Sequence, residues 1–357
     1  MKIYIIFLTK LFLSSLLYVF MIVLSLVFIL NILSEIEFFK QYEVSSYYPI
    51  YLSILNSPTI LFEIFPFIFL ISTQVFFIKL FNNNEIQIFK YSGLKNTKIV
   101  IIIGIISFII GILIITFYYT ISSNFKNFYL ELKTKYVSDS NHLTVITKNG
   151  LWMKDIINNN LKIINASKLN ENFLQDVIIT EFDKDFNSIR TIKSKKINIS
   201  NKDWVLFESV VYDNKKEQAF ETLIITSNFD YKKIQNLLSN LSSLSIIKLF
   251  VLKKNYEILN YSSTDVSIQL NKLFSLPIYF TLMTIFSSII MLNTKKFRSS
   301  SLKITVGLFL SVIIYYLNNF FYVMGNLEKI SILTTIWVPL IAFAFINMLI
   351  MISLNEK

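Results

Sequence analysis

The stretch MKIYIIFLTKLFLSSLLYVFMIVLSLVFILNIL, residues 1–33, contains only two charged side chains, Lys2 and Lys10. Its apolar part is much longer than the about 7–15 apolar residues of a signal peptide, and it lacks a small-residue cleavage site. A helix needs about 20 apolar residues to cross the roughly 30 Å hydrocarbon core of a bilayer. We therefore expect this stretch to be retained as a membrane-spanning helix.

The composition of the whole chain is also that of an integral membrane protein. Of the 357 residues, 54% are hydrophobic, and the mean hydropathy is +0.57, whereas soluble domains contain about 45–50% apolar residues. The formal net charge of +11 comes from lysines that are spread along the chain, many of them beside apolar segments. Membrane topology explains this distribution better than nucleic-acid binding does.

Several residue types that active sites need are missing or rare. Without cysteine, the chain can form neither disulfides nor thiolate metal centres, and the single histidine, His142, excludes multi-histidine metal clusters. None of the six glycines belongs to a P-loop or a dinucleotide-binding motif. We expect no metal, no cofactor and no ATP hydrolysis by this chain, and we assign no role to His142.

Six apolar segments are long enough to span a bilayer, and they form two groups of three. They lie at about 11–33, 59–81, 99–121, 272–292, 302–324 and 332–353. We therefore predict a membrane α-helical protein with three plus three transmembrane helices. Residues 1–121 and 269–357 form its membrane part, and residues 122–268 form an inserted domain.

The inserted domain is predicted to be mainly β. Alternating runs such as DWVLFESVVYDN (203–214) are broken by Asn, Asp, Ser and Gly, which favours a sandwich, a jelly roll or an open barrel. DKDFNS (183–188) is typical of a hairpin turn, and residues 231–260 predict a helical return to the membrane. Trp152 and Trp204 are expected in the core.

Basic residues in the short loops predict the orientation of the spans. Basic residues cluster around the loop after the second span and occupy the loop after the fourth, namely Lys79, Lys90, Lys95 and Lys98, and Lys295, Lys296, Arg298 and Lys303. On the opposite side, Lys40 and Lys329 each lie beside acidic residues. We expect both termini in the cytoplasm and the inserted domain outside it.

The segment NNNEIQIFKYSGLKN (82–96) follows the second span and predicts a short helix over about residues 83–93. Asn82, Asn83 or Asn84 can cap this helix, and Glu85 in the first turn suits the helix dipole. Ile86 and Phe89 form an apolar face with Ile88 as a further candidate, and Gly93 is placed to end the helix in a left-handed conformation. Two readings remain open: a helix lying in the membrane interface, and a coupling helix that docks into a cytoplasmic ATPase.

The segment from Asn56 to Val100 resembles the permease family of the lipopolysaccharide exporter, LptF and LptG. The matching features are Pro66 in the second span, Asn84–Glu85, the apolar helix and Gly93–Leu94. NILSEIEFFK (31–40), GLWMKD (150–155) and DWVLFESV (203–210) are similar to further family segments. The C-terminal half, from NKLFSLPIYF (271–280) onwards, resembles LptG more than LptF.

This resemblance implies a transport subunit rather than an enzyme. It implies a location in the bacterial inner membrane and a periplasmic, jelly-roll-like β domain. The implied partners are a sibling permease, an LptB-type ATPase dimer that binds the ATP, and a periplasmic bridge component, LptC or LptA. The subunit is expected to extract lipopolysaccharide from the membrane and to pass it to the bridge.

The resemblance also implies roles for individual residues. The residues expected to couple to the ATPase are Glu85, Ile86, Phe89 and Gly93. The residues expected to contact lipopolysaccharide are Lys40, Phe38, Phe39, Tyr315, Tyr316, Phe320 and Phe321. Two alternatives stay open: Lys40 can pair locally with Glu37 or Glu43 instead of a phosphate, and the aromatic residues can form a generic interfacial belt.

Two other function classes compete with an exporter subunit. A mechanotransmitting permease like FtsX or MacB also couples an ATPase to an outer domain, but its large domain typically follows one span rather than three. A lipid-modifying enzyme normally shows charged groups inside its spans. The spans here offer little beyond Glu63.

Overall fold

The computed structural model describes residues 3–40, 42, 44–45, 47–134, 151–157, 160–170, 172–183, 187–213, 216–231, 234, 240–258, 262–293 and 299–355. His142, the loop lysines Lys295 and Lys296, Arg298 and the acidic Glu43 therefore lie outside the described residues. The chain divides into two compact units. Met1–Tyr129 and Thr264–Lys357 form the membrane unit, and Leu130–Ser263 form the β unit.

Six helices of the structure are long and apolar enough to cross a membrane, as predicted. They are α1 (Ile3–Phe39), α2 (Tyr47–Asn82), the continuous run of α4 (Asn96–Leu113), a π-helical turn (Ile114–Tyr118) and α5 (Tyr119–Thr134), then α7 (Thr264–Leu292), α8 (Ser300–Asn326) and α9 (Ile332–Asn355). Each predicted span lies inside one of these helices. Short helix α3 (Glu85–Tyr91) follows α2.

Helices α2 and α7 form the centre of the membrane unit. Most of the side chains in their apolar segments are buried, whereas only 17% of those in α1 and 11% of those in α8 are. Polar groups join the central helices to their neighbours, because a hydroxyl in an apolar interior needs a partner. Ser287 of α7 donates to the Leu70 carbonyl of α2 at 2.9 Å, and the hydroxyls of Ser107 and Thr284 lie 2.9 Å apart.

The β unit contains one antiparallel sheet of six strands in sequential order. The strands are β1 (Leu151–Ile157), β2 (Asn160–Asn170), β3 (Phe173–Phe182), β4 (Ser188–Asn198), β5 (Asp203–Asp213) and β6 (Lys216–Thr226). The jelly-roll part of the prediction is not confirmed, because the described strands form a single sheet in which each strand pairs with the next along the chain.

The sheet curls so that its first and last strands approach each other at one end. The buried carboxylate of Asp155 in β1 accepts hydrogen bonds from the Ser227 hydroxyl at 2.8 Å and from the Asn228 main chain and side chain, directly after β6. Lys162 of β2 also donates to the Thr226 carbonyl at 3.3 Å. The apolar core lies within this curl.

The predicted turn of this unit is present, the predicted helical segment is helical over part of its length, and one tryptophan is misplaced. Asp183 and Asn187 close the β3–β4 hairpin through main-chain and side-chain hydrogen bonds. Helix α6 (Ile246–Ile258) lies in the predicted helical segment. Trp204 is buried and donates to the Phe229 carbonyl at 2.8 Å, but Trp152 is 59% exposed, so its assignment to the core was wrong.

Candidate functional site

Helix α3 is joined to α2 by the two-residue connection Asn83–Asn84. Asn84 occupies the N-cap position, but with φ 56° it is left-handed, and its side chain makes no capping hydrogen bond. The predicted asparagine side-chain cap was therefore wrong at this position. Instead, the Asn83 amide donates to Glu85 Oε1 at 3.2 Å.

The C-terminal end of α3 is the one predicted. Gly93 has φ +77°, a conformation that costs most side-chain-bearing residues energy. The Leu94 N–H donates to the Phe89 carbonyl at 2.9 Å, and the Gly93 N–H to the Lys90 carbonyl at 3.0 Å. This pair of bonds is a Schellman motif, which turns the chain sharply into α4.

The apolar residues of α3 point in two directions. Ile86 is only 5% exposed, and the Phe89 ring lies 6.1 Å from the ring of Phe7 in α1, centroid to centroid. Ile88 and Tyr91 are 61% and 90% exposed. The predicted contact residues Ile86 and Phe89 thus pack on this chain, and Ile88 and Tyr91 form the outward surface.

Glu85 carries an acceptor that is not satisfied within the described part of the chain. Its Oε2 atom is buried and has no hydrogen-bond partner among the described residues. A buried acceptor without a donor is unfavourable. A donor from outside the described residues would remove this cost.

The predicted phosphate-binding residue, Lys40, directly follows α1 and is exposed. None of the described carboxylates forms an ion pair with it. Phe38 and Phe39 belong to an aromatic cluster with Tyr42 and Tyr48, in which Phe39 is buried. Phe39 therefore contributes to packing at the end of α1, whereas Lys40 lies at the surface.

The predicted acyl-contacting residues lie on the outer side of α8. Tyr315, Tyr316 and Phe320 are exposed, and Phe321 is half-buried. The Tyr315 ring packs 5.7 Å from the ring of Phe67 in α2. No described contact joins these aromatic residues to Phe38, Phe39 or Lys40, although α1 and α8 both contact α2.

A buried polar cluster at α1, α2 and α5 was missed by the sequence analysis. Tyr129 donates to Glu35 Oε1 at 2.7 Å, and the Lys126 ammonium lies 4.7 Å from the Tyr129 ring centre. Lys126 also donates to Asn56 Oδ1 at 2.7 Å, and Asn56 donates to Asn31 at 3.1 Å. The detectable signal was the spacing of Asn31 and Glu35, which places two polar groups on one face of an apolar helix.

A second missed group is Lys272, which lies half-buried within α7. Its ammonium lies 5.1 Å from the ring centre of Tyr322 in α8, and Glu63 of α2 is near enough to interact electrostatically. Ionisable groups inside a membrane helix are costly and mark functional positions by default. Lys303, predicted in a loop, is instead buried in the first turn of α8 and donates to the Met291 carbonyl at 2.8 Å.

Among the described residues, no group of three or more histidine, aspartate or glutamate side chains could hold a metal ion. No individually curated protein matches the chain. The family described as "Lipopolysaccharide export system permease LptF/LptG" matches residues 6–353, nearly the whole sequence. The chain therefore belongs to the LptF/LptG family of lipopolysaccharide export permeases.

Proposed function

We propose that this chain is one of two sibling permeases that extract lipopolysaccharide from the inner membrane, driven by a separate ATPase. In this proposal an LptB-type dimer binds and hydrolyses the ATP, and this chain performs no catalysis. A periplasmic LptC- or LptA-type bridge receives the lipopolysaccharide. Of the two siblings, we propose the LptG role, on the resemblance of the C-terminal half.

The observation that carries the proposal is the exposed face of α8. Tyr316 and Asn319 are both exposed on this membrane-spanning helix. Hydrocarbon cannot satisfy an amide side chain, so such a residue belongs against a partner or a water-containing cavity. A sibling permease packed towards α1 and α8 would cover both helices and enclose a space for the lipid.

In the proposed cycle, α3 receives the force from the ATPase. Ile88 and Tyr91 form its contact surface, and the unsatisfied Oε2 of Glu85 takes a donor from a basic groove of the ATPase. Ile86 and Phe89 fix α3 to the permease's own helices. Gly93 gives the sharp turn that continues into α4.

Two lysines are suited to the anionic headgroup of the substrate. Lys40 is exposed beyond α1, and Lys272 lies inside the membrane unit beside Tyr322. Both supply point charges for phosphate groups. The exposed rings of Tyr315, Tyr316 and Phe320 would contact the acyl chains.

Within the described sheet, β1 and β6 are the two outermost strands. An exposed strand edge can pair with another sheet through main-chain hydrogen bonds. We propose that one of these edges, outside the cytoplasm, joins the bridge component. The apolar interior of the curled sheet would guide acyl chains towards it.

The test is co-purification of the chain in mild detergent, followed by ATPase assays of the reconstituted complex. We expect a P-loop ATPase and a sibling permease to co-purify, and lipopolysaccharide to stimulate ATP hydrolysis. An ATPase that co-purifies but does not respond to lipopolysaccharide would favour a mechanotransmitter. A chain that works without any ATPase would refute the proposal.

The coupling surface can be tested in the same complex. Glu85→Lys should abolish ATPase association without changing the melting temperature of the permease. Glu37→Lys, a charge reversal at an exposed glutamate at the far end of α1, is the matched control and should leave association intact. Unchanged association of the Glu85→Lys variant would remove α3 from the mechanism.

A further inference from the structure

Helix α6 (Ile246–Ile258) has apolar residues on two opposite faces. Leu249 and Leu252 are buried within the chain. On the other side, Ile247 is 77% exposed, and Phe250 and Val251 are about half exposed. Apolar side chains that share one exposed helix face are unfavourable in water, so the outward face of α6 favours an apolar partner.

The outward face has the residue spacing of a lipid-binding helix. Ile247, Phe250, Val251 and Lys254 follow the i, i+3, i+4, i+7 pattern of a single stripe. A shallow groove beside this stripe is lined by Leu244, Ile247, Lys248, Val251, Leu252 and Asn255. Apolar residues with basic residues beside them are typical of helices that lie in the membrane interface.

The positive net charge of α6 favours an anionic partner. The helix contains three lysines and one glutamate, a net charge of +2. Glu257 is paired with Lys253 at 3.9 Å, which leaves Lys248 and Lys254 exposed next to the apolar stripe. Lysines near a membrane surface attract anionic lipid headgroups.

The chain connectivity keeps α6 close to the bilayer. Only five residues separate Ile258 from Thr264, where the membrane-spanning helix α7 begins. Fully extended, this connection reaches about 20 Å. The end of α6 therefore stays within that distance of a helix that enters the membrane.

We propose that α6 lies in the interface of the phospholipid bilayer, with Ile247, Phe250 and Val251 at the acyl boundary and Lys248 and Lys254 at anionic headgroups. The proposal does not rest on lipopolysaccharide transport or on any partner protein. It assigns α6 as a surface anchor that restricts the β unit relative to the bilayer.

The absence of cysteine from the sequence allows a direct test in the full chain. Single variants Ile247→Cys and Val251→Cys are labelled with a nitroxide and placed in nanodiscs of phosphatidylethanolamine and phosphatidylglycerol without lipopolysaccharide. Ile224→Cys is the matched control, because Ile224 is an exposed isoleucine on β6 of the same unit. Collision rates with apolar oxygen and with a water-soluble nickel complex are then compared.

At residues 247 and 251, oxygen collisions should exceed nickel collisions, whereas residue 224 should show the reverse. Replacing phosphatidylglycerol with phosphatidylcholine should lower the oxygen-to-nickel ratio at residue 247, and adding Lys248→Ala and Lys254→Ala should have the same effect. The same lysine substitutions are also made in the Ile224→Cys variant. Unchanged collision rates at residue 224 then verify that the substituted chain is folded.

Three results would overturn the proposal. Labels at residues 247 and 251 that are as accessible to nickel as residue 224 would show a solvated face. Exclusion of both reagents would show a protein contact. The anionic bilayer would also not be the partner if the high oxygen-to-nickel ratio appeared only after lipopolysaccharide was added, or if the ratio did not change when phosphatidylcholine replaced phosphatidylglycerol.

Discussion

The Tyr129 hydroxyl donates a 2.7 Å hydrogen bond to the Glu35 carboxylate in the interior of the membrane unit. The bond joins α5 to α1 across 94 positions of sequence, and Lys126 lies against the same tyrosine ring. Hydrogen bonds to charged groups are stronger than neutral ones, and a buried carboxylate that loses a donor is costly. This contact therefore holds two helices of the first group together.

Replacing Tyr129 with phenylalanine should destabilise the membrane unit. We expect a loss of about 1–3 kcal/mol, because Glu35 loses a donor while the ring remains. Thermal unfolding in detergent measures the change, and Tyr91→Phe, at a tyrosine that is 90% exposed, is the control. Equal melting temperatures for the two variants would show that the bond contributes nothing.

Helix α4 contacts α7 so closely at Gly111 that any larger side chain at this position should destabilise the protein. A Cβ atom there would lie 2.8 Å from Pro277 Cα, which is backbone and cannot move aside by rotation. Gly111→Ala should therefore cost about 1–3 kcal/mol. The same change at Gly104 places its Cβ 3.6 Å from Ile285, an ordinary contact, and should be neutral or stabilising. A Gly111→Ala variant as stable as Gly104→Ala would contradict the packing.

Replacing Gly93, whose backbone is left-handed, should act on stability through the backbone conformation alone. Apart from its two chain neighbours, no described residue has an atom within 4 Å of a Cβ built at this position, so Gly93→Ala meets only the cost of positive φ. That cost is about 1–2 kcal/mol. Hydrogen exchange of the amides in residues 85–94 should become faster. Gly93→Asn should retain more of the protection, because asparagine tolerates this conformation better.

Asp155 should be essential for closing the curl of the β unit. Asp155→Ala removes the acceptor of three hydrogen bonds from Ser227 and Asn228, and about 2–4 kcal/mol of stability should be lost. Faster hydrogen exchange is expected at the end of β6. Asp203→Ala, at an exposed aspartate on β5, is the control. Unaltered exchange in Asp155→Ala would mean that the strands meet without this carboxylate.

The stability of the β unit should fall in acid because of Glu181. Burial alone raises the pKa of this carboxyl, but the hydrogen bond from Arg190 and the charges of Lys162 and Arg190 outweigh it and lower the pKa below the ordinary glutamate value. The folded state therefore favours the ionised form. Its stabilisation is complete above the unfolded pKa and is lost as the pH falls through the folded pKa.

Unfolding of the β unit in the full chain, followed between about pH 6 and pH 3, measures this effect. Glu181→Gln should flatten the acid-side decline around and below the ordinary glutamate pKa of about 4.3. Glu208→Gln breaks only the exposed pair with Lys195, at 2.6 Å, and should leave the decline unchanged. Identical pH profiles for Glu181→Gln and the unaltered chain would exclude Glu181 as the cause.

The local features of the fold could be predicted because their causes lie close together in the sequence. The length of each apolar run determined the six spans, and Gly93 marked the end of α3. The hairpin at Asp183 and Asn187 followed from a cluster of turn-forming residues. In each case the physical cause lies within the element or directly beside it in the sequence.

Other features depend on contacts between distant parts of the chain. Helix α3 has only seven residues and carries apolar side chains on two sides, so its sequence does not show which side packs inwards. The contact of Phe89 with Phe7 of α1 determines the side. The bonds of Glu35 with Tyr129 and of Asp155 with Asn228 join residues far apart in sequence. Trp152 lies on β1 between Leu151 and Met153, and these two neighbours, not Trp152, face the core.

The direct succession of α2 and α3 has a mechanical consequence. Helix α2 has 36 residues, a rod about 54 Å long, and its last turn is followed by α3 after Asn83 and Asn84 alone. Tilting such a rod by about 10° displaces its far end by roughly 9 Å. Because α2 is also buried at the centre of the membrane unit, any tilt that starts at the short helix must be accommodated by the helices packed around α2.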